Sequence, residues 1–402
     1  MTDRISTGMM YGQSLSGMLV RQKQLNTLQQ QLATGQKLVT AKDDPVAAGT
    51  AVGLDRTLAE LERFGKNANT VANRLGLQEN VLAQAGDYMI RVNELAIQAN
   101  NSSLSDQDRQ AIAAELRSIY DGMLSVANST DGSGRYLFGG SADDAAPFSR
   151  TSGGVAYHGD QTQRRVEVAP ETFVKDATPG SEIFMRVRTG DGTMDASAQA
   201  ANTGTGVIAG YGRDSGGAWN GESYRIVFTG AGAGAYDVLD GTGATVGGGT
   251  WTAGEDITHG GVRIAIDGQP APGDAFDVGP AGTRDVFATL QNLIGTLESS
   301  PASPAGQAAR QNALQAAMRD VARASEQMID ARAAGGAQLA AIDDAGAVRE
   351  ANDVTMQGTL SELRDLDYAE AITRFQLEST ALQTAQTVFT RMQGLSLFNL
   401  LR

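Results

Sequence analysis

Four large residues among the last forty, Tyr368, Phe375, Leu382 and Phe389, recur at a spacing of seven. Ile372, Met392 and Leu395 broaden that face, while Arg374, Glu378 and Gln383 read as lying off it. A sustained repeat of seven with a narrow apolar stripe is the seam of a coiled coil, not the broad face of a helix packed on its own core. No proline interrupts the stretch, and a helix of about 35 residues reaches on the order of 50 Å. Such a seam needs a partner of matching length. The first forty residues offer one, because Leu15, Met18, Leu19, Leu25, Leu28 and Leu32 recur at threes and fours with glutamines between them. The two ends of the chain are expected to pair with each other or with copies of each other.

Energetics make such a pair marginal on its own. Ordering a terminal residue costs about 1–2 kcal/mol of backbone entropy, whereas burying one large seam residue returns about 1.5–3 kcal/mol. Contact with neighbouring copies is expected to tip the pair towards order.

The rest of the chain changes texture twice. At Asp44-Pro45 an N-cap followed by a first-turn proline predicts a new helix, and helical pattern then runs to about Asn100. Within it Leu75, Leu82, Met89 and Ala96 recur every seven residues. Ser105 and Asp108 resemble a capping box ahead of a third helix with the face Ile112, Leu116, Ile119, Met123 and Val126. Arg135–Gly140 reads as a short strand stopped by glycines. From there to about Gly282 short alternating runs such as Tyr224/Ile226/Phe228, Val262/Ile264/Ile266 and Phe276/Val278 predict a small antiparallel β module. Helical pattern returns at Arg284, breaks before Pro301 and Pro304, and resumes from about Gly306 towards Met356, with a weak spot at Ala333–Gly336. The expected fold is mainly α with an inserted β module: an antiparallel arrangement of long helices with a terminal coiled coil. Five segments follow. Residues 1–44 and 361–402 are the two halves of the coiled coil. Residues 45–192 are helical with a β-hairpin region, 193–282 an inserted antiparallel β domain, and 283–360 the returning helices.

Little points to chemistry. The chain has no cysteine, two histidines about a hundred residues apart, and a net charge of −14. Thiolate catalysis and disulfides are excluded, and an acidic chain is a poor partner for nucleic acid. No stretch approaches the roughly 18 apolar residues that insert in a membrane, and the start lacks the charged-then-apolar pattern of an ordinary secretory signal. Gly241–Gly247 follows a strand-like run but lacks the spacing of a dinucleotide fingerprint, so it reads as turns of the β module. Asp365-Leu366-Asp367 is too short for a calcium loop and reads as a hinge with Asp367 as N-cap. The sequons at Asn101-Ser102-Ser103 and Asn128-Ser129-Thr130 read as cap and turn residues.

Several ordered motifs nevertheless agree with one family. Arg4-Ile5-Ser6-Thr7, Leu32-Ala33-Thr34-Gly35-Gln36-Lys37, Asp43-Asp44-Pro45, Asn93-Glu94-Leu95-Ala96-Ile97-Gln98-Ala99-Asn100 and Tyr136-Leu137-Phe138-Gly139-Gly140 resemble the N-terminal region of the bacterial flagellin superfamily. Asp367-Tyr368-Ala369-Glu370-Ala371-Ile372 and the closing Leu395-Ser396-Leu397-Phe398 resemble its C-terminal region. The likeness covers roughly residues 1–140 and 284–402, and the Asp-Asp-Pro form and Leu-Ser-Leu-Phe ending look most like the hook–filament junction branch. The resemblance implies a structural protein without catalytic residues or cofactor, located on the bacterial flagellum and exported unfolded without a cleaved signal. It implies assembly as a ring with copies of itself, with another hook-associated protein on the hook side and flagellin or its junction partner on the filament side. An export chaperone is expected on the C-terminal helix. The assembly seam is then Leu15, Met18, Leu25, Leu28 and Leu32 with Tyr368, Ile372, Phe375, Leu382, Phe389 and Met392, hinged and capped at Asp44, Pro45 and Asp367. A filament flagellin is the nearest alternative. An enzyme displayed through the β insertion is a third reading, and the missing site motifs stand against it.

Overall fold

In the computed structural model the described residues are 7–101, 103–230 and 234–400, so the Arg4-Ile5-Ser6 start and Ser102 lie outside them. Long helices occupy both ends: α1 (Thr7–Thr34), α2 (Pro45–Ala99), α3 (Asp106–Ala127), α4 (Val286–Glu298), α5 (Pro304–Arg364) and α6 (Tyr368–Leu400). Between α3 and α4 come β1 (Phe148–Thr151), β2 (Gly154–Tyr157), β3 (Arg165–Ala169) and β4 (Thr172–Lys175), then a π-helical turn at Ser181–Met185. They are followed by β5 (Val187–Arg188), β6 (Met194–Ala198), β7 (Val207–Arg213), β8 (Tyr224–Phe228), β9 (Ala235–Leu239) and β10 (Thr245–Thr250). The series closes with β11 (Asp256–His259), β12 (Val262–Asp267), β13 (Ala275–Pro280) and β14 (Thr283–Arg284). The chain divides into two compact units, one of residues up to 66 with those from 345 onward, the other of residues 67–344.

The second unit has a helical core that follows the repeat of seven in α2. Leu75, Leu82, Met89 and Ala96 are all buried, as is the α3 face Ile112, Leu116, Ile119, Met123 and Val126. Leu290, Leu293 and Leu297 of α4 and Leu314, Val321 and Met328 of α5 complete the cluster. α3 starts on a true capping box, in which the Ser105 side chain accepts from the Asp108 N–H and Asp108 reaches back to the Ser105 N–H. α5 begins at Pro304, two residues before the expected start. Ser303 Oγ accepts from the Gly306 N–H at 3.1 Å, so Ser-Pro acts here as cap and first residue, and the proline starts a helix as well as ending the previous one. Gly335 and Gly336 stay helical inside it.

Arg135–Gly140 is not a strand. Only a single bridge, Thr130 to Tyr136, forms there. Leu137 and Phe138 are both fully buried, whereas a strand sends neighbours to opposite faces. The segment is a turn that drives Phe138 into an edge-on contact with Phe184 at 5.3 Å. Phe148 and Phe287 extend the aromatic group, 5.8 Å apart. The Phe138 carbonyl accepts from the Gly180 N–H and from the Tyr157 hydroxyl, both at 2.9 Å. Gly140 turns at φ 71°, and any Cβ there would strike Asp160.

Asp160 holds this turn from the other side. The Ser141 hydroxyl and the backbone N–H groups of Ser141 (2.8 Å) and Thr162 (2.9 Å) all donate to its carboxylate. They hold its pKa down at about 2, below the ordinary 3.8. Because the folded pKa is depressed, the contribution is complete above about pH 4 and is lost as pH falls through about 2. The urea-midpoint gap between wild type and Asp160→Asn is therefore expected to narrow steadily from about pH 4 downward. A gap independent of pH would place the role of Asp160 in packing alone.

A buried charge cluster lies in the same unit. Arg74 of α2 reaches Asp131 (3.3 Å), Asp143 (3.5 Å) and Asp176 (3.9 Å), and donates to the Tyr136 carbonyl at 2.9 Å. Arg164 bridges Asp143 and Asp176, each at 2.8 Å. The Arg74 side chain is 8% exposed and that of Asp143 2%.

The β module is a pair of facing antiparallel sheets. The larger runs β10-β9-β8-β13-β6 and the smaller β11-β12-β7. Their shared core includes Ile226, Phe228, Val238, Trp251, Ile257, Ile264 and Phe276. The stretch Gly241–Gly247 is half turn and half strand. Asp240 accepts from the N–H groups of Thr242 and Ala244, and β10 has begun by Thr245. Gly247 is needed there because a Cβ would lie 2.7 Å from Nδ1 of His259 on β11. Against α5 the module is gripped by Asn312, whose amide accepts from the Ile208 N–H (2.8 Å) and donates to the Gly206 carbonyl (2.9 Å).

Candidate functional site

The unit of residues up to 66 and from 345 onward carries both terminal helices. Gly35 stops α1 by taking φ 72° and donating to the Gln31 carbonyl at 2.8 Å, a left-handed helix end that glycine adopts without strain. α2 starts where Asp44 Oδ1 accepts from the N–H groups of Val46 (3.0 Å) and Ala47 (2.9 Å), with Pro45 as its first residue. α6 starts in the same way, Asp367 Oδ1 accepting from Ala369 (2.9 Å) and Glu370 (3.1 Å).

α1 and α6 pack side by side and antiparallel. Near one end the Tyr11 ring meets Phe389 edge-on at 5.8 Å, and its hydroxyl donates to the Met392 carbonyl at 3.1 Å. In the middle Arg21 pairs with Glu378 at 2.8 Å. At the other end the Gly35 carbonyl accepts from the Leu366 N–H at 3.0 Å. Leu25 and Leu382 are buried between the helices, while Met18, Leu28, Leu32, Phe375, Phe389 and Met392 are half-buried.

Three of the expected seam residues lie elsewhere. Leu15, Tyr368 and Ile372 are 50%, 52% and 45% exposed. Tyr368 keeps the spacing of seven but is the first residue of α6, beside the end of α1. Glu378, read from the sequence as off the face, lies on it. The buried stripe of α6 runs Ala371, Phe375, Glu378, Leu382, Ala385, Phe389 and Met392, alternating threes and fours. Its intervening positions are two alanines and a glutamate, which a search for large apolar residues passes over. Tyr11 and Arg21 were missed for a related reason, since neither belongs to the leucine series. The signal available was the four-three phase itself, extended through small and polar residues.

Apolar surface remains outside the stripe. Leu19, Val20, Leu377 and Val388 are each more than half exposed. On a helix turning 100° per residue, Leu15 and Leu19 fall on one side of the α1 stripe and Val20 on the other. Val20 and Leu28 with Leu377 line an open groove of about 720 Å³ along the helix pair. Among the described residues no group of His, Asp and Glu could hold a metal ion, and no helix is long and apolar enough to cross a membrane. The arrangement is suited to binding other helices. The side chains of the Leu395–Phe398 ending lie outside the described residues.

Long terminal helices paired by a heptad seam, with a β module inserted between returning helices, define the architecture of the flagellins. Residues 5–143 match the family of the bacterial flagellin N-terminal helical region. The crystal structure of Xanthomonas campestris FlgL is 58% identical, with TM-score 0.72, over 77% of this chain and 99% of that one. The flagellar junction protein FlgL from Legionella pneumophila is 26% identical, with TM-score 0.70, over 79% of this chain and all of that one. Flagellar hook-associated protein 3 of Salmonella typhimurium is 36% identical over 181 residues, 45% of this chain and 56% of that protein. The chain thus belongs to the flagellin superfamily, and within it to the family of flagellar hook-associated protein 3.

Proposed function

We propose that the chain is a structural adaptor at the junction of flagellar hook and filament, assembling as a ring through α1 and α6. The observation that carries this reading is the terminal helix pair itself. Its seam is closed by Leu25 and Leu382, yet Leu15, Leu19, Val20, Ile372, Leu377 and Val388 remain exposed on its flanks. Single exposed apolar residues are ordinary, but rows of them along both helices of a terminal pair mark a surface that other helices cover. Identical hairpins packed flank to flank bury those rows, and a contact of that kind closes into a ring or continues as a helix.

In this reading another hook-associated protein sits below the ring, and flagellin or its junction partner above it. The subunit reaches the flagellum by unfolded export without a cleaved signal. The apolar rows of α6 are the surface that an export chaperone shields before assembly. No residue acts as a catalyst and no cofactor takes part.

Deleting the gene tests the reading. Cells should build hooks without filaments and shed flagellin into the medium, and re-expression should restore swimming. Filaments of normal length on the deletion strain would overturn it.

A further inference from the structure

The β module and the helices beside it share no apolar core. The helical core and the core of the module are separate clusters. Where α5 faces the module its side chains are small, and Ala308, Ala309, Ala313 and Ala316 line a cleft of about 250 Å³ against Ala196 and Gly206. Bodies joined without a large hydrophobic interface move relative to one another by default. What holds this module in place must therefore be polar.

Three residues on one side of α5 make the contacts. Asn312 bonds the Gly206 carbonyl and the Ile208 N–H at the start of β7. Arg319 donates to the Ala196 carbonyl of β6 at 3.2 Å, and its guanidinium lies over the Tyr211 ring of β7 at 5.0 Å. Asp320, 3% exposed, accepts from the Gly190 N–H at 3.1 Å and pairs with Arg284. Gly190 lies on the segment that enters the module and Arg284 on the strand that leaves it, so one carboxylate ties both to α5. The row is not fully satisfied, however. The Tyr211 hydroxyl and Arg319 Nε are buried and have no hydrogen-bond partner within the protein. Buried polar groups without partners cost free energy, and opening would relieve that cost. The chain is also built to bend at this place. β5 and β14 form a two-stranded ribbon in which Val187, a member of the helical core, faces Arg284. Beyond it the Thr189 N–H donates to the Gly282 carbonyl and the Gly282 N–H to the Thr189 hydroxyl, both at 3.1 Å. Gly190 and Gly192 follow at φ 64° and 87°. Hinges are made of a few such residues that absorb a change in backbone angle.

We propose that Asn312, Arg319 and Asp320 form a releasable latch, and that Gly190, Gly192 and Gly282 above the β5–β14 ribbon are the hinge on which the β module swings when the latch opens. Latched, the module has one orientation on the helical core. Released, it samples many and keeps its fold, because its own apolar core is complete without α5.

The absence of native cysteine allows a clean test on the purified full-length protein. Nitroxide labels go on Ser118→Cys of α3 and Ala244→Cys at the turn before β10, both exposed positions. Double electron–electron resonance should then give one narrow distance distribution between core and module. Adding Asn312→Ala/Arg319→Ala/Asp320→Ala should widen it at least twofold, and Asn312→Ala alone should widen it by less. The chain's two tryptophans, Trp219 and Trp251, both lie in the module, so their emission reports its fold and should be unchanged in every variant. Three results would overturn the proposal. A distribution as narrow in the triple variant as in its parent would mean that other contacts hold the module. One already broad in the parent would mean that no latch closes. Widening together with the tryptophan emission of an unfolded module would make the row part of the module's own fold. Should the triple variant fail to fold altogether, Asn312→Ala decides the matter, and an unchanged width there overturns the latch.

Discussion

Leu382→Asp protein is expected to fold and yet leave hooks bare. Leu382 is 8% exposed at the centre of the α1–α6 stripe, opposite a face that includes Met18 and Leu25. Removing a buried leucine side chain costs about 2–5 kcal/mol, and a carboxylate with no partner in its place adds desolvation. The helix pair has little stability to lose, since its order comes from a narrow stripe of half-buried residues. Leu382 belongs to a different compact unit from residues 67–344, so the stability of that second unit should change by less than about 0.5 kcal/mol. Leu382→Met keeps the volume, costs less than about 1.5 kcal/mol, and should restore motility to the deletion strain. The checks are thermal unfolding followed by circular dichroism and complementation on swim plates. A swimming Leu382→Asp strain would show that the stripe is not needed for assembly.

The second large effect is expected from Arg74→Met, and it falls on stability. With Arg74 gone, Asp143 keeps Arg164 and the more exposed Arg135, Asp176 keeps Arg164, and Asp131 loses its ion pair. Breaking a buried ion cluster on one side costs about 3–5 kcal/mol, because the charges left behind are uncompensated. For a unit of this size the midpoint of unfolding should drop on the order of 10 °C. Adding Asp131→Asn should recover part of the loss by removing one stranded charge. A loss below about 1 kcal/mol for Arg74→Met would mean that water already solvates the cluster.

The two kinds of expected effect reflect what could be read from the sequence. Repeats of seven in α2 and the Ser105/Asp108 box mark their helices directly, since large apolar residues such as Leu75, Leu82 and Met89 recur in the core. The strands with alternating Tyr, Ile, Val and Phe were legible for the same reason. β6, β7, β10 and β11 were not: Met-Asp-Ala-Ser-Ala and Thr-Val-Gly-Gly-Gly-Thr carry almost no alternation, and their place comes from neighbours such as His259 over Gly247. Arg135–Gly140 misled because Leu137 and Phe138 look like strand residues, while the turn that buries both is imposed by Asp160 and Gly180. In the terminal helices the large residues pointed to a seam, but its phase runs through Ala371, Glu378 and Ala385, which hydrophobicity does not reveal. Arg74 and its carboxylates, spread over residues 74 to 176, could not be joined without the fold.

Seeded growth on isolated hooks tests the adaptor function most directly. The ends of this chain resemble those of flagellin, so the same helix packing can continue across the junction, and preference for one neighbour over another is a difference of affinities. A few kcal/mol suffices for about a hundredfold choice. Purified protein added to hooks should form a layer of limited thickness and stop, and flagellin added afterwards should elongate from that layer, both seen by electron microscopy. Long homopolymers grown from this protein alone would contradict an adaptor and make it a filament subunit.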